Sequence, residues 1–454
     1  MRSLLASAAL LAVLLTIYLP DIGHGFLRDD FRWIDQGRAG SLSQIGALFT
    51  TNVGFYRPLV SVSFAADYAL WDLNAFGYAI TNLLLLVACA ALLAALVRRL
   101  GLPVAAAVMA AGVFAFNFHG VNMALLWLSG RTSLLALCFA LLSVNAVLRG
   151  WSIGAGVACL AALLSKEEAV VLPAVMTLFV FISPGGPEGP PLRRTWAMWL
   201  ALPIYIALRA GSGAFTPSTA PDYYQYTFAP GAVLQNLGAY LDRAGTVTAA
   251  VSLLLSFDSL RSLRTSLRSG GDPVFTEPER RALWLAALWI PATFALTVLL
   301  PVRSSLYALI PSAGCALIAA ACASRALRLN PARFAQAATA LIVIAAALVP
   351  VYRSRNVRWV EPADLSRYVM ESVQATTSSY PAGGRVVLTE DPKAELTLAD
   401  AFDQLFPNAI ALYSGDLWEG HLVQPGTTLP PDGRTTIVYE LREGTLEPVR
   451  ITRR

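Results

Sequence analysis

Charge is scarce in this chain. Of its 454 residues only 14% are Asp, Glu, Lys or Arg and only 3 are histidine, against about 25% charged in a soluble domain. With 56% hydrophobic residues and a mean hydropathy of +0.57, that deficit excludes an ordinary soluble globular protein and leaves a polytopic membrane protein. Cysteine is present but not as chemistry. Cys89, Cys138, Cys159, Cys315 and Cys322 all fall inside apolar runs and form no CxxC pair, so neither disulfides nor a zinc site is expected. No internal repeat recurs along the chain, so no tandem-repeat solenoid is expected. The isoelectric point near 9.0 would suit a nucleic-acid binder. The arginines, however, stand at the ends of apolar runs, which is the pattern of membrane topology.

Those apolar runs organise the chain. About eleven are read as spans, near 3–20, 78–97, 102–118, 132–148, 151–166, 168–183, 195–210, 241–258, 282–300, 305–323 and 335–350. The first is followed by Tyr18-Leu-Pro-Asp21 and not by a small-x-small cleavage site, which favours an uncleaved first span over a signal peptide. With the N-terminus cytoplasmic, Arg98-Arg99, Arg149, Arg193-Arg194, Arg261 to Arg281 and Arg325 to Arg333 all fall on one side, as the positive-inside rule requires. The other side receives polar residues of less common kinds.

Four connecting segments have character of their own. In the first outer loop, residues 21–77, Ile45, Leu48 and Phe49, then Leu59, Val60, Val62 and Phe64, fit short interfacial amphipathic helices. Gly211 to Pro230, rich in turn residues and aromatics, reads as a mobile flap. Pro184 to Pro191 reads as a stiff inner linker, and Arg261 to Arg281 as a flexible inner segment. After Pro350 the composition becomes ordinarily polar. A helix over Pro362–Val373 and strands over Arg385–Thr389, Asn408–Tyr413 and Thr436–Leu441 predict a small α/β domain. The expected fold is an all-α polytopic membrane bundle over residues 1–350, its loop 21–77 carrying an acidic pair, with a small extracytoplasmic α/β domain over 351–454.

Five outer-face groups carry the chemistry. Asp29 and Asp30 follow the first span at once. They fit a general base, a shared divalent cation, or a solvated pair neutralised by Arg28 and Arg32. Arg57, held by Pro58, suits a phosphate or a lipid head group. His119 and Arg131 are the strongly polar side chains of Asn117 to Thr132. An outward arginine departs from the positive-inside pattern, so Arg131 calls for a specific role. Lys166, Glu167 and Glu168 interrupt an apolar run, at a cost of about 2.5–3.5 kcal/mol per charge; the lysine can pair with a glutamate. Arg303 and Tyr307 suit an anionic head group or an interfacial anchor. Together these give acids for proton transfer and cations for phosphate.

The order of these motifs resembles a known family. An acidic pair after the first span, then Tyr56-Arg-Pro-Leu59, His119-Gly followed by Trp127-Leu-Ser-Gly-Arg-Thr132, Ser165-Lys-Glu-Glu168 with Pro173, and Arg303…Tyr307…Pro311 are similar to the GT-C superfamily. Its members are membrane glycosyltransferases that use polyprenyl-phosphate sugars. The nearest likeness is to the protein O-mannosyltransferases whose spans precede tetratricopeptide repeats; here a short α/β tail stands in their place. The resemblance implies a GT-C bundle in a bacterial inner or plasma membrane and a lipid-linked sugar donor. It also implies a hydroxyl acceptor on protein, lipid or glycan, and inversion at the sugar carbon. Asp29 would be the base, with Asp30 as alternative. Lys166, Arg303 and Arg131 would hold the lipid phosphate. No resident cofactor is implied beyond the lipid-linked donor, and a divalent metal is left open. A transporter or flippase would carry inverted repeats and mid-membrane charges, and a surface-polysaccharide assembly protein would place its largest loop late in the chain. Neither pattern is present.

Overall fold

A computed structural model describes residues 2–50, 54–183, 191–216, 219–256, 274–380, 383–390, 396–424, 427, 429–430, 433–442 and 445–452. The predicted inner linker at 184–190 and most of the segment from Arg261 lie outside them.

Every predicted span contains a helix: α1 (Arg2–Tyr18), α5 (Ala75–Arg99), α6 (Val104–Ala115), α8 (Arg131–Leu148), α9 (Ser152–Leu163), α10 (Leu172–Ile182), α11 (Pro191–Ser212), α12 (Pro230–Ser256), α13 (Glu277–Phe294), α14 (Leu309–Leu329) and α15 (Pro331–Ala347). Among the described residues, four stretches are long and apolar enough to cross a membrane alone: Leu4–Asp21, Ala75–Arg99, Leu128–Leu148 and Ser305–Leu329. Two bent pairs raise the number to six. One is α6 with α7 (Phe118–Leu126), bent by 64°; the other is α15 with α16 (Val349–Thr377), bent by 45°. The expected eleven spans are therefore eleven helices, of which four to six crossings among the described residues meet the length and hydropathy of a span. α9 and α10 have 12 and 11 residues, too short at about 1.5 Å per residue for a hydrocarbon core of about 30 Å. The bundle presents apolar side chains outward, among them Leu84, Val157, Phe181 and Ile206, as an integral membrane protein must.

α14 is the hub. It packs against α6, α12 and α13, and its alanines and Gly314 let neighbours approach closely. A Cβ on Gly314 would lie 2.7 Å from the Trp289 ring. α5 fixes the two ends of the bundle. Near its start Tyr78 and Asn82 meet Arg131, at the head of α8; at its end Arg99 bonds Asn145, near the foot of α8. Of the predicted inner arginines, Arg99, Arg149, Arg194 and Arg328 gather at this second end, where Arg328 pairs with Glu279 and Gly150 lies beside Arg194.

The loop 21–77 forms α2 (Asp29–Gly37), α3 (Leu42–Ala47) and α4 (Pro58–Trp71); α3 includes Ile45 but ends before Leu48 and Phe49, and α4 includes Leu59, Val60, Val62 and Phe64. Where α7 turns into α8, Gly130 presses on backbone: a Cβ there would lie 2.6 Å from Ala124 Cα and 3.0 Å from the Met123 carbonyl. Gly130→Ala is expected to cost about 1–3 kcal/mol through overpacking, read as a lower unfolding temperature of the purified protein.

The tail is not separate from the bundle. The helix predicted at Pro362–Val373 is the second half of α16, which runs unbroken across the expected boundary at Val351. Beyond it come β1 (Gly384–Glu390), α17 (Leu398–Phe402), α18 (Phe406–Ser414), β2 (Trp418–Leu422), β3 (Thr436–Arg442) and β4 (Thr445–Thr452). The sheet order is β2-β1-β3-β4, with β1 parallel to both neighbours and β3–β4 antiparallel. The strand expected at Asn408–Tyr413 is a correction: it lies in α18. Phe406, Ala409 and Ile410 are its buried positions, and that i, i+3, i+4 spacing is a helical one. β2 and β4 were not expected.

Candidate functional site

α2 sets the first functional side chain. Its Asp29 is half-buried at the first helical position, where a carboxylate suits the positive end of the helix. The tail grips this helix from outside. Arg28 stands at φ 48°, a strained region for a side-chain-bearing residue. It is held there by its N–H on the Ala401 carbonyl at 2.9 Å and its guanidinium on Asp400. Phe31 stacks on Phe402 with centroids 5.5 Å apart, Asn408 donates to Asp35 at 2.9 Å, and Arg38 pairs with Asp416 at 2.7 Å.

Asp29 opens onto a cavity of about 370 Å³, within the range of ligand pockets, about 300–1,000 Å³. Five predicted residues line it: Asp29, Arg57, Lys166, Arg303 and Tyr307. Asp29 is the one acid among its lining residues, and Arg32, Arg57, Lys166, Arg243, Arg303 and Arg358 are the cations. Four predicted residues are placed elsewhere. Asp30 lies fully buried behind the wall, accepting from the Leu27 N–H at 3.0 Å and from the N–H and hydroxyl of Ser129. Glu167 sits behind Arg57 and takes its guanidinium bidentately, at 2.6 and 3.1 Å. His119 packs its ring on Phe118, centroids 5.3 Å apart. Arg131 is 0% exposed, paired with Asp67 at 2.5 Å, and bonds Asn82 and the Tyr78 carbonyl. It pins α4, α5 and α8 together and is not among the residues lining the cavity.

The charged turn between α9 and α10 explains itself locally. Residues Glu167–Val171 form a 3-10 turn, which separates the two neighbouring glutamates. Glu167 goes to Arg57, and Glu168 to Lys166 at 2.6 Å. Lys166 Nζ also donates to Ser133 Oγ at 2.8 Å and lies 4.9 Å from the Tyr307 ring centre. Arg303 is held by two amides, Asn236 Oδ1 at 2.6 Å and Gln235 Oε1 at 2.5 Å. Tyr224, from the predicted flap, packs 5.0 Å from Phe55 and lines the cavity too. Among the described residues no three His, Cys, Asp or Glu side chains come together as a metal-ligand set.

Sequence reasoning missed Arg32, Trp127, Arg243, Arg358 and Trp359. Arg358 had a usable signal: Arg353, Arg355 and Arg358 follow the last apolar run on the outer side, the same departure from positive-inside that singled out Arg131. Arg32 is three residues from Asp29 on α2, hence on the same helix face.

Electrostatics separates the acids. Burial pushes the Asp29 carboxyl above the usual range, opposed first by Arg32. Burial pushes Asp30 up to about 7, outweighing its three hydrogen bonds. For Glu167, burial acts upward but the Arg57 charge overrides it and holds the group at about 2. The folded protein thus holds a proton on Asp30 more tightly than the unfolded chain, whose value is the ordinary 3.8. Its contribution to stability is full below that value and is lost as pH rises through about 7. Unfolding temperature measured from pH 4 to 8 is expected to carry this decline in the wild type and to lack it in Asp30→Asn.

No protein-family model matches the sequence, and no curated protein matches it. Solved structures do resemble it. The crystal structure of ArnT from Cupriavidus metallidurans bound to undecaprenyl phosphate superposes with a TM-score of 0.51 at 14% identity, over 96% of this chain and 92% of that one. The apo state of the same protein gives 0.51 at 13% identity, over the same shares. The likeness spans bundle and tail together, and the shared fold is of the GT-C kind.

Proposed function

We propose that this chain is a membrane glycosyltransferase that moves a sugar from a polyprenyl-phosphate donor to an acceptor hydroxyl on the extracytoplasmic face. The observation that carries the reading is the cavity, where a single carboxylate faces six cations at the end of the bundle away from the inner arginine clusters. The shared fold supports it, and the undecaprenyl phosphate bound by ArnT gives the donor class its chemistry. Mannose and related hexoses are the first sugars to try, because the motif order resembles O-mannosyltransferases.

In this reading Lys166 and Arg303, backed by Arg57, hold the phosphate that links lipid and sugar. Asp29 accepts the proton of the acceptor hydroxyl. That oxygen bonds to the anomeric carbon as the carbon–phosphate-oxygen bond breaks, its electron pair leaving on the lipid phosphate. One displacement gives inversion. Lys166, Arg303 and Arg57 stabilise the charge that develops on the leaving phosphate, the larger part of catalysis, with the base second. Tyr307 packs beside Lys166, and Glu167 and Glu168 fix the two cations. Asp30 anchors α2 to Ser129.

The test is transfer itself. The purified protein is offered a panel of radiolabelled polyprenyl-phosphate sugars with protein, lipid and glycan acceptors. Consumption of one donor with release of polyprenyl phosphate is the expected result; the panel left intact would overturn the proposal. Because burial raises the Asp29 carboxyl, activity on the acid side should rise at a pH above the ordinary carboxylate range.

A further inference from the structure

The cavity holds more positive charge than a lipid-linked sugar requires. Arg57 and Lys166 are already neutralised behind the wall by Glu167 and Glu168. Arg32, Arg243, Arg303 and Arg358 make no ion pair among the described residues, and they face the single acid Asp29. A sugar phosphodiester brings one negative charge. With Asp29 that makes two against four, in a site where unbalanced charge is costly.

The surplus has a location. Arg243 and Arg358 line the cavity together with Trp127 and Trp359, and Arg243 lies near enough to Arg358 for their charges to repel. The two indoles are parallel to within 3°, their centroids 6.2 Å apart. Their frame is rigid: Asn122 takes the Trp359 N–H at 2.9 Å and the Arg358 guanidinium at 3.3 Å, and itself donates to Asn356 at 2.6 Å. Two donors in this group are buried without an acceptor among the described residues, the Trp127 indole N–H and Arg243 Nη1. Buried donors are ordinarily satisfied. An orphan indole N–H beside two guanidinium groups that make no ion pair among the described residues, one of them with an orphan N–H of its own, describes a receptor for an anion.

We infer that Trp127, Arg243, Arg358 and Trp359 form a subsite for a second anionic group, a phosphate or carboxylate carried by the acceptor or by the transferred sugar. The guanidinium forks and the indole N–H supply donors to the anion, and the indole faces suit the apolar C–H face of an adjoining sugar ring. The identity of the first anion as a lipid phosphate rests on the function proposed above.

The experiment uses the purified full chain and equilibrium binding. Undecaprenyl phosphate is the probe of the first anion. The acceptor arm compares octyl glucoside 6-phosphate with octyl glucoside. The sugar arm compares undecaprenyl-phospho-hexuronate with undecaprenyl-phospho-hexose. Wild type should bind the charged member of one pair about tenfold or more tightly than its neutral twin, and the arm in which this occurs identifies the carrier. Arg243→Gln with Arg358→Gln should erase that preference while leaving undecaprenyl phosphate affinity within about twofold. The single variants Arg243→Lys and Arg358→Lys, which keep the charge and lose the fork, replace the double variant if its unfolding temperature falls. Equal binding of charged and neutral probes in both arms would overturn the inference. So would a loss of undecaprenyl phosphate affinity in variants with unchanged unfolding temperature, since these arginines would then serve the lipid phosphate. If undecaprenyl phosphate fails to bind wild type, the glycosyltransferase reading falls, while the acceptor arm still decides the anion subsite.

Discussion

Asp29→Asn is expected to lower the transfer rate by about 10²–10⁴-fold, the usual contribution of a positioned general base, while donor affinity stays the same or tightens. The second half is the more telling. Asp29 is the one acid among the residues lining a cavity with six cations, so neutralising it removes repulsion toward a phosphate. The amide occupies the same volume at the head of α2, and the contacts that hold that helix, on Asp30, Phe31 and Arg28, are untouched. Single-turnover kinetics with a bound radiolabelled donor separates the two effects. A variant that fails to bind donor would make Asp29 a recognition group, and one that transfers at the wild-type rate would remove it from the chemistry.

The second large effect falls on stability. Arg131→Met is expected to destabilise the protein by about 3–5 kcal/mol, because it strands the buried Asp67 carboxylate. Asp67→Leu combined with Arg131→Met should recover much of the loss, since an apolar pair of similar volume often matches a buried ion pair. Thermal unfolding in detergent reads both. This decides between two roles for one residue. The family resemblance implies a phosphate ligand at Arg131, whereas the structure gives it 0% exposure and bonds from α8 to α4 and α5. If Arg131→Met instead left the unfolding temperature alone and weakened donor binding, the ligand role would stand.

These two residues show where the sequence is readable. A charge that interrupts an apolar run is conspicuous because its insertion is costly, as at Lys166, and Asp29, Arg57 and Arg303 stand out as charges on the expected outer side, next to or between spans; all four line one cavity. What a sequence leaves open is which charge satisfies which. Adjacent glutamates 167 and 168 look alike until a 3-10 turn sends them to different cations. Asp30 and Asp29 look alike until the helix turns one toward Ser129 and the other toward the cavity.

The tail was harder to read for a different reason. α16 crosses from apolar to polar composition without a break, so a boundary drawn on composition cut through a helix that delivers Arg358 and Trp359 to the site. In α18 a short apolar stretch admitted either period, and tertiary burial of Phe406, Ala409 and Ile410 chose the helix. The tail then gains a physical role, because its Phe402, Asp400 and Asn408 hold the helix that carries Asp29. The span count stays open for a third reason. α9 and α10 are apolar enough to be read as crossings but too short to make them independently.

The most direct measurement is a cryo-electron microscopy map of the full chain in a lipid nanodisc saturated with undecaprenyl phosphate. The account predicts phosphate density inside the cavity, within hydrogen-bonding reach of Lys166 and Arg303 and open toward Asp29. Phosphate density outside the cavity, or a cavity left without lipid at saturation, would contradict it.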